Sequence, residues 1–207
     1  MTGAVVLAGG RSRRFGRDKL TVPLRDGRTV LEHAIEAVSA IADEVTVVVH
    51  PDGGGIALPG ATNVVADPEP YGGPLVGLAT GLAALSEDVV FVVGGDMPAL
   101  VPAVLVRMAE RLMSDDSIAA VRLEVDDESP GELSARPPAL PCAVRRLPAL
   151  EAATAALAEN DRRLRGLFER LAVGVVPRAD WRADDPDGRT LLDVDRPEDL
   201  ATVDSPP

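Results

Sequence analysis

Ala4-Val5-Val6-Leu7-Ala8-Gly9-Gly10-Arg11-Ser12-Arg13-Arg14-Phe15-Gly16-Arg17-Asp18-Lys19 passes from an apolar run straight into glycines and cations. Ala4 to Leu7 has no polar alternation, which is how a strand buried on both faces of a parallel sheet reads. Because that strand ends in Gly9-Gly10, the loop belongs at the carboxyl edge of the sheet, where open α/β folds bind ligands. Glycine lets the backbone come close to a phosphate, and the amides beyond it can donate to phosphate oxygens. The pattern is neither G-x-x-x-x-G-K-[ST] nor G-x-G-x-x-G. Gly10 and Gly16 bracket a longer, arginine-bearing loop, and Leu20 follows Lys19 where a metal-holding Ser or Thr would stand. Of the 21 basic residues in the chain, every one but Lys19 is arginine. A compact ammonium on a slim stem fits against a phosphate oxygen where a planar guanidinium fork does not, so the exception reads as a close phosphate contact. A solvated basic turn would explain the charge but not the glycine pair behind a buried strand.

Composition narrows the partner. The net charge is -12, yet residues 11 to 19 set Arg11, Arg13, Arg14, Arg17 and Lys19 against Asp18 alone. An acidic body repels a nucleic-acid backbone, while a concentrated positive loop attracts a small polyanion. Aromatics make up 2% of the chain, too few for a set of stacking platforms for single strands. A small phosphorylated molecule is the expected partner, with no nucleic acid. Apolar stretches of about 18 residues are absent, which argues against a membrane span. Met1 to Ala8 lacks the basic start and long apolar segment of a signal peptide. With the single Cys142, which cannot form an internal bridge, this leads to the expectation of a cytoplasmic protein.

At 207 residues the chain fits one domain, expected over 1–203 with a frayed tail at 204–207. Strand-length apolar runs alternate with helix-period segments, the pattern of an α/β fold with a mostly parallel sheet and helices on its faces. The expected strands are Ala4 to Leu7, Val45 to Val49, Asn63 to Ala66, Val89 to Val93 and Ile118 to Val121. Thr29 to Ile41 reads as a helix with a Thr29-x-x-Glu32 capping box, and Pro102 opens another through Met113. Pro51 to Gly60 and Glu124 to Pro141 read as loops, the second long enough to be a lid or disordered.

Three further segments carry chemistry. Val92-Val93-Gly94-Gly95-Asp96 is again a strand running into glycines, now ending in a carboxylate. Asp96 can hold Mg²⁺, which keeps several waters and takes one or two protein oxygens beside substrate phosphates, or it can cap the next turn. Asp67-Pro68 precedes Tyr71-Gly72-Gly73-Pro74, a glycine turn into a helix of small residues; Asp67 can bond a base or ribose, or simply start the turn. Leu191-Leu192-Asp193-Val194-Asp195 reads as a strand whose aspartates can join Asp96 at a metal, with Asp195 alternatively the N-cap of a helix beginning near Pro197.

In this order, the four segments resemble the molybdenum cofactor guanylyltransferase family of nucleotidyltransferases. The most specific part is Leu7 to Lys19, read as Leu-Ala-Gly-Gly-x-Ser-Arg-Arg-x-Gly-x-Asp-Lys with Phe15 where methionine is common. Asp67, Gly73-Pro74-Leu75, Asp96-x-Pro98, Leu140-Pro141-Cys142-Ala143 and Pro197-Glu198-Asp199-Leu200 match as well. His50 stands where the family commonly has asparagine near the base, and Asp193-Val194-Asp195 where Asn-x-Asn is usual. The resemblance implies a single three-layer Rossmann-like α/β domain with a mostly parallel sheet, of the nucleotide-diphospho-sugar transferase type. It implies GTP on Leu7, Ala8, Gly9, Gly10, Lys19, Asp67 and Asp96, and Mg²⁺ on Asp96 with Asp195 as a second candidate. Lys19, Arg13 and Arg14 would carry catalysis on the phosphates. The acceptor would be molybdopterin, with transient contact to cofactor-inserting proteins. A sister enzyme using CTP or another phosphorylated acceptor is the near alternative; a dinucleotide-binding oxidoreductase lacks its glycine fingerprint, and a silent nucleotide-binding module would never release pyrophosphate.

Overall fold

The computed structural model describes residues 1–10, 15, 18–53, 58–61, 63–69, 72–125 and 138–204. Seven strands form one sheet in the order β3-β2-β1-β4-β6-β5-β7. They are β1 (Thr2–Ala8), β2 (Glu44–Val49), β3 (Asn63–Ala66), β4 (Val89–Gly94), β5 (Ala120–Leu123), β6 (Cys142–Arg145) and β7 (Val173–Val176). All neighbours pair in parallel except β6, which runs antiparallel to both β4 and β5.

β1 lies between β2 and β4, and Ala4, Val5 and Val6 are fully buried. Successive side chains of a strand point to opposite faces, so burial of all three requires cover on both sides. Helix α2 (Pro74–Ala83) supplies one side: a Cβ at its Gly81 would lie 2.6 Å from Val5 Cγ1, a contact that only glycine avoids. Helix α1 (Val30–Ser39) also packs on β1, and α3 (Pro102–Met113) covers β4 to β7. Helix α4 (Arg146–Ala158) packs beside α2 and is followed by α5 (Leu164–Phe168), α6 (Arg178–Trp181) and α7 (Asp199–Val203). The result is a three-layer α/β arrangement.

Helix α1 starts where its capping box predicts. The Thr29 hydroxyl accepts from the Glu32 N–H at 3.2 Å, and the Glu32 carboxylate accepts from the Thr29 N–H at 2.7 Å. Hydrogen bonds from Thr29 are the main cause holding the Glu32 carboxyl below its ordinary pKa. The strand expected at Ile118 to Val121 forms two residues later, because the Ile118 N–H turns back to the Asp115 carbonyl.

The reading of Leu191 to Asp195 as a strand is corrected. Gly188 adopts a left-handed φ of 71°, and a 3-10 turn follows at Arg189–Leu191. The buried Asp185 carboxylate accepts from the Arg189 and Thr190 N–H groups at 2.9 and 2.8 Å, which fixes that turn in place of a strand. Asp195 is not a helix N-cap either. The capping runs the other way, with Asp199 Oδ2 accepting from the Asp195 and Arg196 N–H groups at 2.9 and 2.7 Å. Among the described residues no helix is long and apolar enough to cross a membrane.

Candidate active site

Three parallel strands end at one edge of the sheet and deliver the expected residues together. β1 runs out into Gly9 and Gly10. β3 runs into Asp67, whose N–H donates to Val49 O at 2.9 Å. Past the end of β4, the Gly95 N–H donates to Leu7 O at 2.9 Å and sets Asp96 beside the glycine loop. Leu7, Gly9, Gly10, Asp67 and Asp96 line a cavity of about 610 Å³, closed on other sides by Gly73, Pro74 and Gly77 of the α2 start and by Leu140 and Leu164. That volume is within the range of roughly 300–1,000 Å³ typical of small-molecule sites. Ala8 is buried, paired with Val49 in the ladder.

Packing within the protein does not require glycine at the loop. A Cβ on Gly10 would meet nothing within 4 Å, and one on Gly9 would come no nearer than 3.9 Å, to Asp67 Oδ2. Their small size leaves room on the cavity side for something that comes close to the backbone. Asp67 serves two neighbours: Oδ1 accepts from the Glu69 N–H at 3.0 Å, as a turn-starting aspartate does, while Oδ2 faces the space beside Gly9 and Gly77.

Lys19 opens a 3-10 turn, Lys19–Thr21, whose N-cap Asp18 accepts from the Leu20 N–H at 3.1 Å. Lys19 is only 8% exposed. Its Nζ donates to Asp96 Oδ2 at 2.7 Å and to Asp195 Oδ1 at 2.9 Å. Burial alone would lower its pKa, but the bonds and charges of Asp96 and then Asp195 outweigh that and raise it above the ordinary value. Asp193 is exposed as a residue, yet its carboxyl is partly desolvated and stands near Asp195 and Asp96. Desolvation first, and those two like charges next, raise its pKa.

Two contacts bring the C-terminal segment to this place. The Val194 N–H donates to Asp96 O at 2.9 Å. The Val194 side chain is fully buried with Phe15, Val22, Val30 and Val203 in a small apolar cluster apart from the main core. Phe15 and Val194 therefore meet in one cluster, and Val194 anchors the segment that carries Asp195. The Lys19–Asp195 bond joins residues 176 positions apart, and no period or motif spacing announces such a pair. Leu140 and Leu164 were not expected at the site either. Arg13 and Arg14 lie outside the described residues. Among the described residues, no three His, Cys, Asp or Glu side chains form a ready metal cage.

A MobA-like NTP transferase domain matches residues 4–175. A probable molybdenum cofactor guanylyltransferase of Chloroflexus aggregans is 33% identical over 210 residues, covering 98% of this chain and 93% of its own length. The chain belongs to the MobA-like NTP transferase family. It is, accordingly, a nucleotidyltransferase. A further relative, the molybdenum cofactor guanylyltransferase of Desulfosudis oleivorans, is 26% identical over 95% of this chain and 91% of its own. The fold is similar to that of the molybdopterin-guanine dinucleotide biosynthesis protein A of Archaeoglobus fulgidus, with a TM-score of 0.76, 21% identity and coverage of 98% and 96%. It is also similar to a 2-C-methyl-D-erythritol 4-phosphate cytidylyltransferase of Thermus thermophilus, with a TM-score of 0.66, 20% identity and coverage of 97% and 96%. In this chain Asp195 lies beyond the matched residues 4–175.

Proposed function

We propose that the chain transfers GMP from GTP to the terminal phosphate of molybdopterin carrying molybdenum, releasing pyrophosphate and forming the guanine dinucleotide. The observation that carries this reading is a buried lysine held at 2.7 Å from Asp96 beside a glycine-lined cavity. Near-full-length likeness to relatives named for that reaction supports it.

In the transfer, an oxygen of the acceptor phosphate forms a bond to the α-phosphorus while the bond to the β-phosphate oxygen breaks, and pyrophosphate leaves with the electron pair. The acceptor is already an anion, so no protein nucleophile or base is required. Alignment of two anions and neutralisation of their charge make up the work. Gly9 and Gly10 leave the backbone open to the phosphates, Asp67 Oδ2 offers an acceptor to base or ribose, and Lys19 meets the charge that develops. Arg13 and Arg14 are assigned to the phosphates on sequence grounds.

The donor set fits Mg²⁺. Asp96 and Asp195 already hold one small cation, the Lys19 ammonium, at 2.7 and 2.9 Å. Mg²⁺ is commonly bound by one or two carboxylates plus substrate phosphates and water. Asp96, with Asp195, would hold it, and when bound it supplies positive charge to the triphosphate. Cytoplasmic working and direct hand-over to cofactor-inserting proteins belong to the same reading.

The likeness to a cytidylyltransferase fold and His50 at the end of β2 favour one alternative, transfer from CTP. Thermal stabilisation with Mg²⁺ and GTP, CTP, ATP or NADH separates the readings. A shift with GTP that weakens in Asp96→Ala, followed by molybdopterin-dependent pyrophosphate release, is the expected result. A preference for CTP moves the chain to the sister reaction, and a response to NADH alone overturns nucleotidyl transfer.

A further inference from the structure

The connection between α4 and α5 lies against the turn that carries Asp67, and Arg162 makes the contact. Its Nη1 donates to Glu69 Oε2 at 2.5 Å and to the Gly72 carbonyl at 3.0 Å. Its own carbonyl accepts from the Leu75 N–H, in the first turn of α2, at 3.4 Å. Gly73 completes the fit. It has a φ of +98°, and a Cβ there would lie 2.9 Å from Arg162 O and 3.0 Å from Arg162 Cβ. Only glycine allows both that backbone conformation and that approach.

The Arg162 end of this contact is itself held. Asn160 closes α4 with a φ of 63°, and the Asp161 N–H returns to Ala156 O at 2.9 Å. Asp161 Oδ1 accepts from the Arg163 N–H and Nε at 3.1 and 2.9 Å. Hydrogen bonds from Arg163 hold the Asp161 carboxyl at about 2, well below the usual carboxylate range. On the Glu69 end, the residue reaches both ways: its N–H bonds Asp67 Oδ1 and its carbonyl accepts from the Gly72 N–H at 2.8 Å. One guanidinium thus joins a fixed loop to a turn that includes Asp67, and to the helix start whose Gly73, Pro74 and Gly77 line the cavity.

We propose that Arg162 is a positioning residue for nucleotide binding: it sets the distance of the Asp67 turn and the α2 start from the glycine loop without touching the substrate. The inference rests on the nucleotidyltransferase reading of the same cavity. Its consequence is a split between binding and turnover, since the bonds of Lys19 to Asp96 and Asp195 involve neither Arg162 nor the groups it holds.

The test measures GTP binding with Mg²⁺ by calorimetry, and KM and kcat by pyrophosphate release, in wild type, Arg162→Met, Arg162→Lys and Glu69→Gln. Arg162→Met keeps the stem and loses the fork. Its dissociation constant and KM for GTP are expected to rise about tenfold, as for loss of a charge-assisted hydrogen bond that fixes a loop, with kcat within about twofold of wild type. Arg162→Lys retains one donor and recovers part of the affinity, and Glu69→Gln shows a smaller rise of the same kind. Should Arg162→Met fold poorly, the Lys and Gln variants carry the same comparison. Unchanged GTP affinity in the folded variants, or a fall in kcat with KM unchanged, overturns the positioning role while leaving the proposed reaction intact. Failure of wild type to bind any nucleoside triphosphate instead overturns the proposed reaction, and the inference with it.

Discussion

Replacing Lys19 by Met removes one charge and little else, because the unbranched stem is kept. Two aspartates then face each other without their shared cation, at side chains 28% and 49% exposed for Asp96 and Asp195. The Asp96 bond comes from an ammonium whose side chain is 11% exposed. A charge-assisted bond of that kind is worth about 1.5–3 kcal/mol. The Asp195 arm is half in water and adds about 1 kcal/mol or less. Relief of the desolvation of the ammonium in the variant offsets part of this, leaving a net loss of about 2 kcal/mol. For a chain of this length that is a fall of about 4–8 °C in melting temperature. Millimolar Mg²⁺ without nucleotide should stabilise Lys19→Met more than wild type, because a divalent ion can enter where the ammonium stood. Pyrophosphate release should drop by about 10²-fold or more. Scanning fluorimetry with and without MgCl₂ is the assay. A variant melting within about 1 °C of wild type would refute the stability reasoning, and an equal response to Mg²⁺ would refute the idea that lysine and metal share one set of carboxylates.

Three further outcomes follow from the same geometry. The pKa of Lys19 is raised above its ordinary 10.5, against the pull of burial, by Asp96 and Asp195. Its stabilising contribution from the lysine side is therefore complete below about pH 10.5 and is lost as pH climbs through the raised value, so the melting difference between wild type and Lys19→Met should narrow on that alkaline side. Gly10→Ala, with open space around the new methyl, should melt within about 0.5 kcal/mol of wild type while losing GTP affinity in calorimetry; equal affinity would remove the phosphate from that loop. Gly94→Ala would drive a methyl into Asp96 Oδ1 and to 3.3 Å from Met97 Cγ, so turnover should fall more steeply than stability, and an unchanged kcat would show that Asp96 can shift freely.

Much of the fold was legible because β1 and its neighbours β2 and β4 are apolar runs, with β1 and β4 leading into glycine, and a parallel sheet needs little more to be recognised. The α1 start was equally plain, since Thr29 and Glu32 satisfy each other within three residues. What escaped depends on distant partners. β6 and β7 are four-residue strands with no periodic pattern of their own, and they form by pairing beside β4 and β5. Leu191 to Val194 looked like a strand because leucines and valine dominate it, but Asp185 and Gly188 set a turn and the Val194 N–H goes to Asp96 O rather than to a ladder. At the site, local motifs marked Gly9, Lys19, Asp67 and Asp96. Asp195 was marked as a metal candidate or a helix N-cap, and its bond to Lys19 depends on an apolar cluster assembled from three separate parts of the chain.

That cluster has a bearing on how the protein comes into being. Synthesis proceeds from the N-terminus and early segments can fold first. The glycine loop, Lys19 and Asp96 are all present long before Asp195, which emerges 176 residues after the lysine it holds. The sheet can be in place while the lysine still lacks its second carboxylate and Phe15 still lacks Val194. Completion of the Lys19–Asp96–Asp195 arrangement is therefore a late event in the life of a nascent chain, set by the arrival of the segment that carries Asp195.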